Sequence, residues 1–177
     1  MRRLSLLACA VLVATPALAE TTVTIKSFSI PVNAVTSVED GKAINLSTEE
    51  ANAMLARLGV HVAATKTIAI AGKNVSATLE RRTTNFVKSA RRDSSEAITY
   101  ELGGLRTGTK ASLGKSGKNV TFDLRAQKVA LSSFTAEGST IDLPRIETVR
   151  FQGMLPGDRS EVSLARVEDR LYMLKVN

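Results

Sequence analysis

Cysteine and histidine each occur once in 177 residues, as Cys9 and His61. A transition-metal site draws several imidazole, thiolate or carboxylate ligands together. One histidine, one cysteine and no clustered acidic quartet therefore argue against a bound metal. A Ser-His-acid triad would have to recruit His61, and no Gly-x-Ser-x-Gly elbow supports one. His61 lies between Val60 and Val62 and reads as a strand residue. The run Gly114-Lys-Ser-Gly117-Lys118 lacks the spacing of a P-loop and joins two strand patterns instead of opening a helix. Glu49-Glu50 and Glu168-Asp169 are paired carboxylates with structural explanations, at a helix start and in a turn. A Ser-Lys pair is the hydrolytic arrangement that the composition leaves open, because both residue types are numerous. No catalytic, cofactor-binding or metal-ligating residue is assigned, and the expectation is a protein that is not an enzyme and carries no cofactor.

A membrane-spanning hydrophobic run is also missing. The apolar stretch from Leu4 to Ala14 is shorter than the roughly 20 residues that cross a bilayer as a helix. It follows the positive Arg2-Arg3 and precedes Pro16 and the small-residue site Ala17-Leu18-Ala19. That order is the pattern of a cleaved secretory signal, residues 1–19. Leu6-Leu-Ala-Cys9 loosely resembles a lipoprotein box, but the apolar run continues past Cys9 to the Ala-x-Ala site. Cleavage after Ala19 removes the only cysteine, so the exported chain must be held by a hydrophobic core and not by disulfides. Residues 20–177 suffice for one β-rich domain. The signal and the lack of cysteine suit a periplasmic or secreted protein of a Gram-negative bacterium.

Acidic residues are outnumbered, 17 against 24 Lys and Arg. Losing Arg2 and Arg3 leaves 22 basic residues and a net charge of +5. Arg81, Arg82, Lys88, Arg91 and Arg92 fall within twelve residues and are candidates for contact with an anionic surface such as lipopolysaccharide or phospholipid headgroups. A solvated loop is the plainer reading of the same stretch. Nucleic acid is disfavoured as a partner by the export signal.

Hydrophobic period places the elements. Thr21 to Ile30 alternates as a strand, with a one-residue slip near Ser27. Ala43 to Leu46 is a short strand. Ser47 and Glu50 form a capping box, Ala51, Met54, Leu55 and Leu58 make one apolar stripe, and Gly59 ends a helix over Thr48 to Leu58. Val60 to Ile70 reads as a strand, with Val75 to Leu79 returning as its hairpin partner. Arg81 to Glu96 shows no strong period and reads as a loop. Ile98 to Leu102 is a strand ending at Gly103-Gly104. Leu105 to Leu113 and Val120 to Leu124 form a hairpin around Gly114 to Gly117. Lys128 to Phe134 and Ile146 to Gly153 are strands with a loop between them, and Glu161 to Val167 with Leu171 to Val176 closes the chain as a hairpin around Glu168-Asp169. The expected fold is mainly β, an antiparallel sandwich or partly closed barrel with one short amphipathic helix.

From the helix onward, over about residues 48–176, this order resembles the C-terminal core domain of the secretin family, the outer-membrane channels of secretion systems and pili. The resemblance is carried by Leu58 to Ala77 as helix end, strand, Gly turn and strand. It continues through Tyr100-Glu-Leu-Gly-Gly-Leu-Arg-Thr-Gly108 with the Ala111 to Leu124 hairpin, and the Pro-led strand Leu143-Pro-Arg-Ile-Glu-Thr-Val-Arg-Phe151. Leu155-Pro-Gly-Asp158 and Leu171 to Val176 close it. The secretin N-domains and long pore-forming strands are not expected here, so the resemblance implies a secretin-like β fold and not a channel. The leading expectation is a non-enzymatic envelope protein that works by protein–protein contact, pairing a partner on an exposed strand edge. Its oligomeric state is open. The alternative is a periplasmic carrier of a small apolar ligand or lipid, with a cavity lined by residues such as Phe28, Phe122, Phe134 and Met154.

Overall fold

The computed structural model describes residues 20–31, 34, 36–71, 74–92, 98–136 and 139–177. The signal segment 1–19 lies outside the described residues. Nine strands and one helix follow in the order β1 (Thr21–Ser29), β2 (Ala43–Ser47), α1 (Thr48–Leu58), β3 (His61–Ile70), β4 (Val75–Arg92), β5 (Ile98–Ser116), β6 (Asn119–Ala136), β7 (Ser139–Leu155), β8 (Glu161–Val167) and β9 (Arg170–Val176). They form two antiparallel sheets, one ordered β2-β8-β9-β1-β3 and the other a meander β4-β5-β6-β7. Neither closes into a barrel, and the fold is an antiparallel β-sandwich with one helix.

Burial makes three layers. Val23, Ile25, Ile68, Tyr172 and Leu174 of the five-stranded sheet pack against Leu113, Phe122, Leu124, Phe151 and Leu155 of the meander. On the other side of the five-stranded sheet, Phe28, Val162, Leu164, Leu171 and Met173 pack against Ala51, Met54 and Leu55 of α1. Strands β8 and β9 are therefore covered on both faces, which is why each reads as an almost unbroken apolar run and not as an alternation. The same double cover explains the apparent slip in β1. Val23 and Ile25 face the meander, Phe28 and Ile30 face the helix side, and the apolar set changes parity where the neighbour changes. The pairing with β3 shifts at Ser27/Phe28, where β3 spends one extra residue, Ala63.

Helix α1 forms as its sequence directs. The Ser47 hydroxyl accepts the Glu50 N–H, the Glu50 carboxylate accepts the Ser47 N–H at 3.0 Å, and Gly59 takes the left-handed conformation at φ 59°.

Several sequence expectations are corrected. Strand β4 is not the hairpin partner of β3: β3 pairs with β1, and β4 crosses to the other sheet to pair with β5. Arg81 to Arg92 is not a loop but the outer part of β4, and Gly103-Gly104 does not end a strand but lies inside β5. Of the residues expected as a loop from Ala136 to Thr140, Ala136, Ser139 and Thr140 lie in strands, with Ala136 paired to Ser139 and Thr140 to Thr135, and 137–138 lie outside the described residues. The meander strands run 17 to 19 residues, so long strands, not expected from sequence, are present. Glycine is what concealed β5. Gly103 lies directly opposite Phe86, and a Cβ there would come within 2.7 Å of the Phe86 ring, so the ring covers the glycine and fills its place in the ladder.

Candidate functional site

The meander is a continuous sheet over only part of its length. Strands β5 and β6 pair from Ser116↔Asn119 up to Thr109↔Ala126, and no further. Beyond that point β4-β5 continues to Arg92↔Ile98 and β6-β7 continues to Ala136↔Ser139. The sheet forks there into two ribbons, each of two strands. Ten residues of β4, from Thr83 to Arg92, lie beyond the fork, a reach of about 30 Å at the usual rise per residue. The sandwich ends at the fork as well. Arg82 donates to both carboxylate oxygens of Asp169 at 3.2 Å, and Lys128 lies 3.7 Å from Asp40. These pairs tie the meander to loops of the other sheet, and no described side chain beyond them belongs to either buried cluster.

Both arms carry apolar side chains in solvent. Leu102 is 66% exposed and Leu131 67%, with Val87, Leu143 and Ile146 also exposed. Pairing puts Val87 opposite Leu102, and Val129 opposite Ile146, on the face turned away from the other sheet. Each arm also has two strand edges that no described strand pairs.

At the fork lies a cleft of about 580 Å³. Its position depends on a bulge. Leu79 is an extra residue in β4, between Thr78↔Lys110 and Glu80↔Thr109, and it reverses the parity of everything after it. Glu80 and Arg82 consequently face inward, while Arg81 faces outward opposite Gly108. Arg106 and Lys110 sit two residues either side of Gly108 on the same face of β5 and line the cleft with Arg81. The Gly108 N–H donates to Gln127 Oε1 at 3.1 Å, spanning the gap where β6 departs.

Positive charge continues across the outward face. Lys110 is paired with Arg125 and Arg125 with Arg150, three cations in one cross-strand row. Asp123 answers two of them, accepting from Arg150 Nη2 at 2.8 Å and Arg125 Nη2 at 2.9 Å. Those hydrogen bonds, from Arg150 first and Arg125 second, hold the Asp123 carboxyl down at about 2 from its ordinary 3.8.

Of the sequence-selected basic residues, Arg81 and Arg82 both border the cleft, Arg82 with its guanidinium committed to Asp169, while Lys88 lies farther out, paired with Glu101 at 2.7 Å. Arg91 and Arg92 fall at the end of β4, and their side chains lie outside the described residues. Arg106, Lys110 and Gln127 escaped the sequence reading, because only the β4–β5 register and the fork place them beside Arg81. The proposed carrier lining does not meet either. Phe28 packs on the helix side, Phe122 packs between the sheets, and Met154 is half exposed. The Phe134 side chain lies outside the described residues. His61 is exposed at the start of β3. Among the described residues no group of three or more His, Cys, Asp or Glu side chains could hold a metal ion, and no helix is long and apolar enough to cross a membrane. No protein-family model matches the chain, and neither a curated protein nor a solved structure matches it.

Proposed function

We propose that the chain is a non-enzymatic exported protein of the bacterial envelope that works by protein–protein contact, with the two meander arms as its contact elements. The observation that carries this reading is the fork. Two ribbons of about ten residue pairs extend past the sandwich, contribute no described side chain to its buried clusters, and expose Leu102, Leu131 and Leu143. A two-stranded ribbon standing alone is marginal in water. Unpaired edges and exposed leucines are the features that strand addition by a partner would use. The likeness of residues 48–176 to the secretin core belongs to the same proposal, as a statement about the order of strands and turns and not about a pore. Export by the 1–19 signal to the periplasm is likewise part of it.

The test is photo-crosslinking in the native bacterium, with a photoreactive residue placed in turn at Val87, Leu102, Leu131 and Leu143 and the adducts identified by mass spectrometry. The expected result is one dominant protein adduct shared by several of these positions. Lipid adducts alone, or none, would overturn the reading.

A further inference from the structure

We propose that the cleft at the fork, floored by Gly108 and walled by Arg81, Arg106 and Lys110, binds a phosphate-bearing ligand through a phosphomonoester group. This inference does not depend on the partner reading. It starts from what the three cations lack. Lys88, Arg82, Arg125, Arg150, Lys128 and Arg145 each have a carboxylate within ion-pair range. Among the described residues, no ion pair joins Arg81, Arg106 or Lys110 to any carboxylate. Like charges on neighbouring strands cost stability. Here the cost is compounded, since Lys110 also faces Arg125, whose own carboxylate is shared with Arg150. Among the described residues no carboxylate answers these three charges, and a bound anion would.

The surroundings select the kind of anion. No carboxylate lines the cleft. The hydroxyls of Thr78 and Thr83 border it as neutral donors. Gln127 spends its oxygen on the Gly108 N–H, so the end left for a ligand is the amide nitrogen, another donor. A carboxylate ligand brings one charge and two oxygens to three cations. A phosphomonoester brings up to two charges and three terminal oxygens, which two planar guanidinium forks and an ammonium can share. Gly108 matters because any side chain there would occupy the floor: a Cβ would stand 3.1 Å from the Glu80 carbonyl oxygen and 3.9 Å from Arg81 Cγ.

The phosphate could reach the cleft on a soluble molecule or on a lipid. Val129 and Leu131 follow Gln127 at every second residue of β6, on the same outward face, with Ile146 beside Val129. That partly exposed apolar strip is where the rest of an amphiphile would lie. The experiment therefore has two arms. Calorimetric titration with glycerol phosphate reads the soluble source, and flotation with phosphatidylcholine vesicles, with and without phosphatidic acid, reads the lipid source.

The chain with Arg81→Gln, Arg106→Gln and Lys110→Gln is compared with a chain that loses the same charge elsewhere, through Arg57→Gln, Lys115→Gln and Lys118→Gln. All six side chains are exposed, and an unchanged melting curve confirms folding. Binding in either arm should weaken about tenfold or more in the cleft variant, the loss expected for charge-assisted contacts. The control should stay within about twofold, as distant exposed charges are screened. Binding to phosphatidic acid vesicles alone assigns the ligand to a lipid. No binding in either arm, or equal losses in the two variants, overturns the site.

Discussion

One phenol joins the two sheets just inside the fork. The Tyr172 hydroxyl donates to Glu80 Oε1 at 2.8 Å and lies 2.9 Å from Thr109 Oγ1, while Ser27 donates to the other Glu80 oxygen at 3.3 Å. Tyr172 is 3% exposed, and burial, ahead of its polar neighbours, pushes the phenol above its ordinary 10.0. A raised folded value means that the neutral phenol is the form the fold prefers. Its contribution is complete below about pH 10 and fades as pH climbs through the alkaline range. Tyr172→Phe removes the donor and leaves Glu80 short of a partner, so it should cost about 1–3 kcal/mol in urea unfolding at neutral pH. The gap from the unaltered chain should narrow as pH rises above 10. A gap that stays constant would mean that the hydroxyl contributes nothing through its ionisation. None of this was legible in the sequence. Glu80 stands before Arg81-Arg82 and reads as part of a charged surface stretch, and only the bulge at Leu79 turns it inward.

Glycine shows how the same residue means different things in two ribbons. A Cβ on Gly153 would press to 2.7 Å of the ring of Phe122, its direct strand partner, and Gly103 stands in the same relation to Phe86. Phe122 is 5% exposed inside the core and has nowhere to turn, whereas Phe86 sits on an arm and is only partly buried. Gly153→Ala should therefore cost about 1–3 kcal/mol as overpacking. Gly103→Ala should stay within about 0.5 kcal/mol, as surface changes do. Urea midpoints measured side by side decide it, and equal losses would mean that the arm ring is as firmly held as the core one. The short elements were legible because their signals are local: the Ser47–Glu50 box, the stripe through Leu55, and the β8-β9 turn at Glu168-Asp169. The long ones were not. Two ribbon strands in solvent need no alternation, so β4 beyond Arg82 carried no period, and the sheet to which β4 belongs is decided by contacts far away in sequence.

At the scale of the molecule, the fork separates stability from contact. Every residue of the two buried clusters lies on the sandwich side of it, and the last ties between the sheets are the pairs Arg82–Asp169 and Lys128–Asp40. What lies beyond adds no described side chain to either cluster, and its exposed leucines are a solubility liability that a functional surface would justify. The separation can be tested by shortening both arms. One change replaces residues 86–103 with Asn-Gly, closing β4 and β5 just past Asn85↔Gly104, and the other replaces residues 131–144 in the same way past Ala130↔Arg145. The shortened chain should melt within about 2–4 °C of the full one, the shift that roughly 1 kcal/mol produces at this size. It keeps Arg81, Arg106, Lys110 and Gln127, so phosphate binding should persist, whereas partner crosslinks, moved to the remaining exposed position Ile146, should vanish. A melting temperature lowered by much more than that would show that the arms brace the sandwich, and their exposed side chains would then need a structural account instead of a functional one.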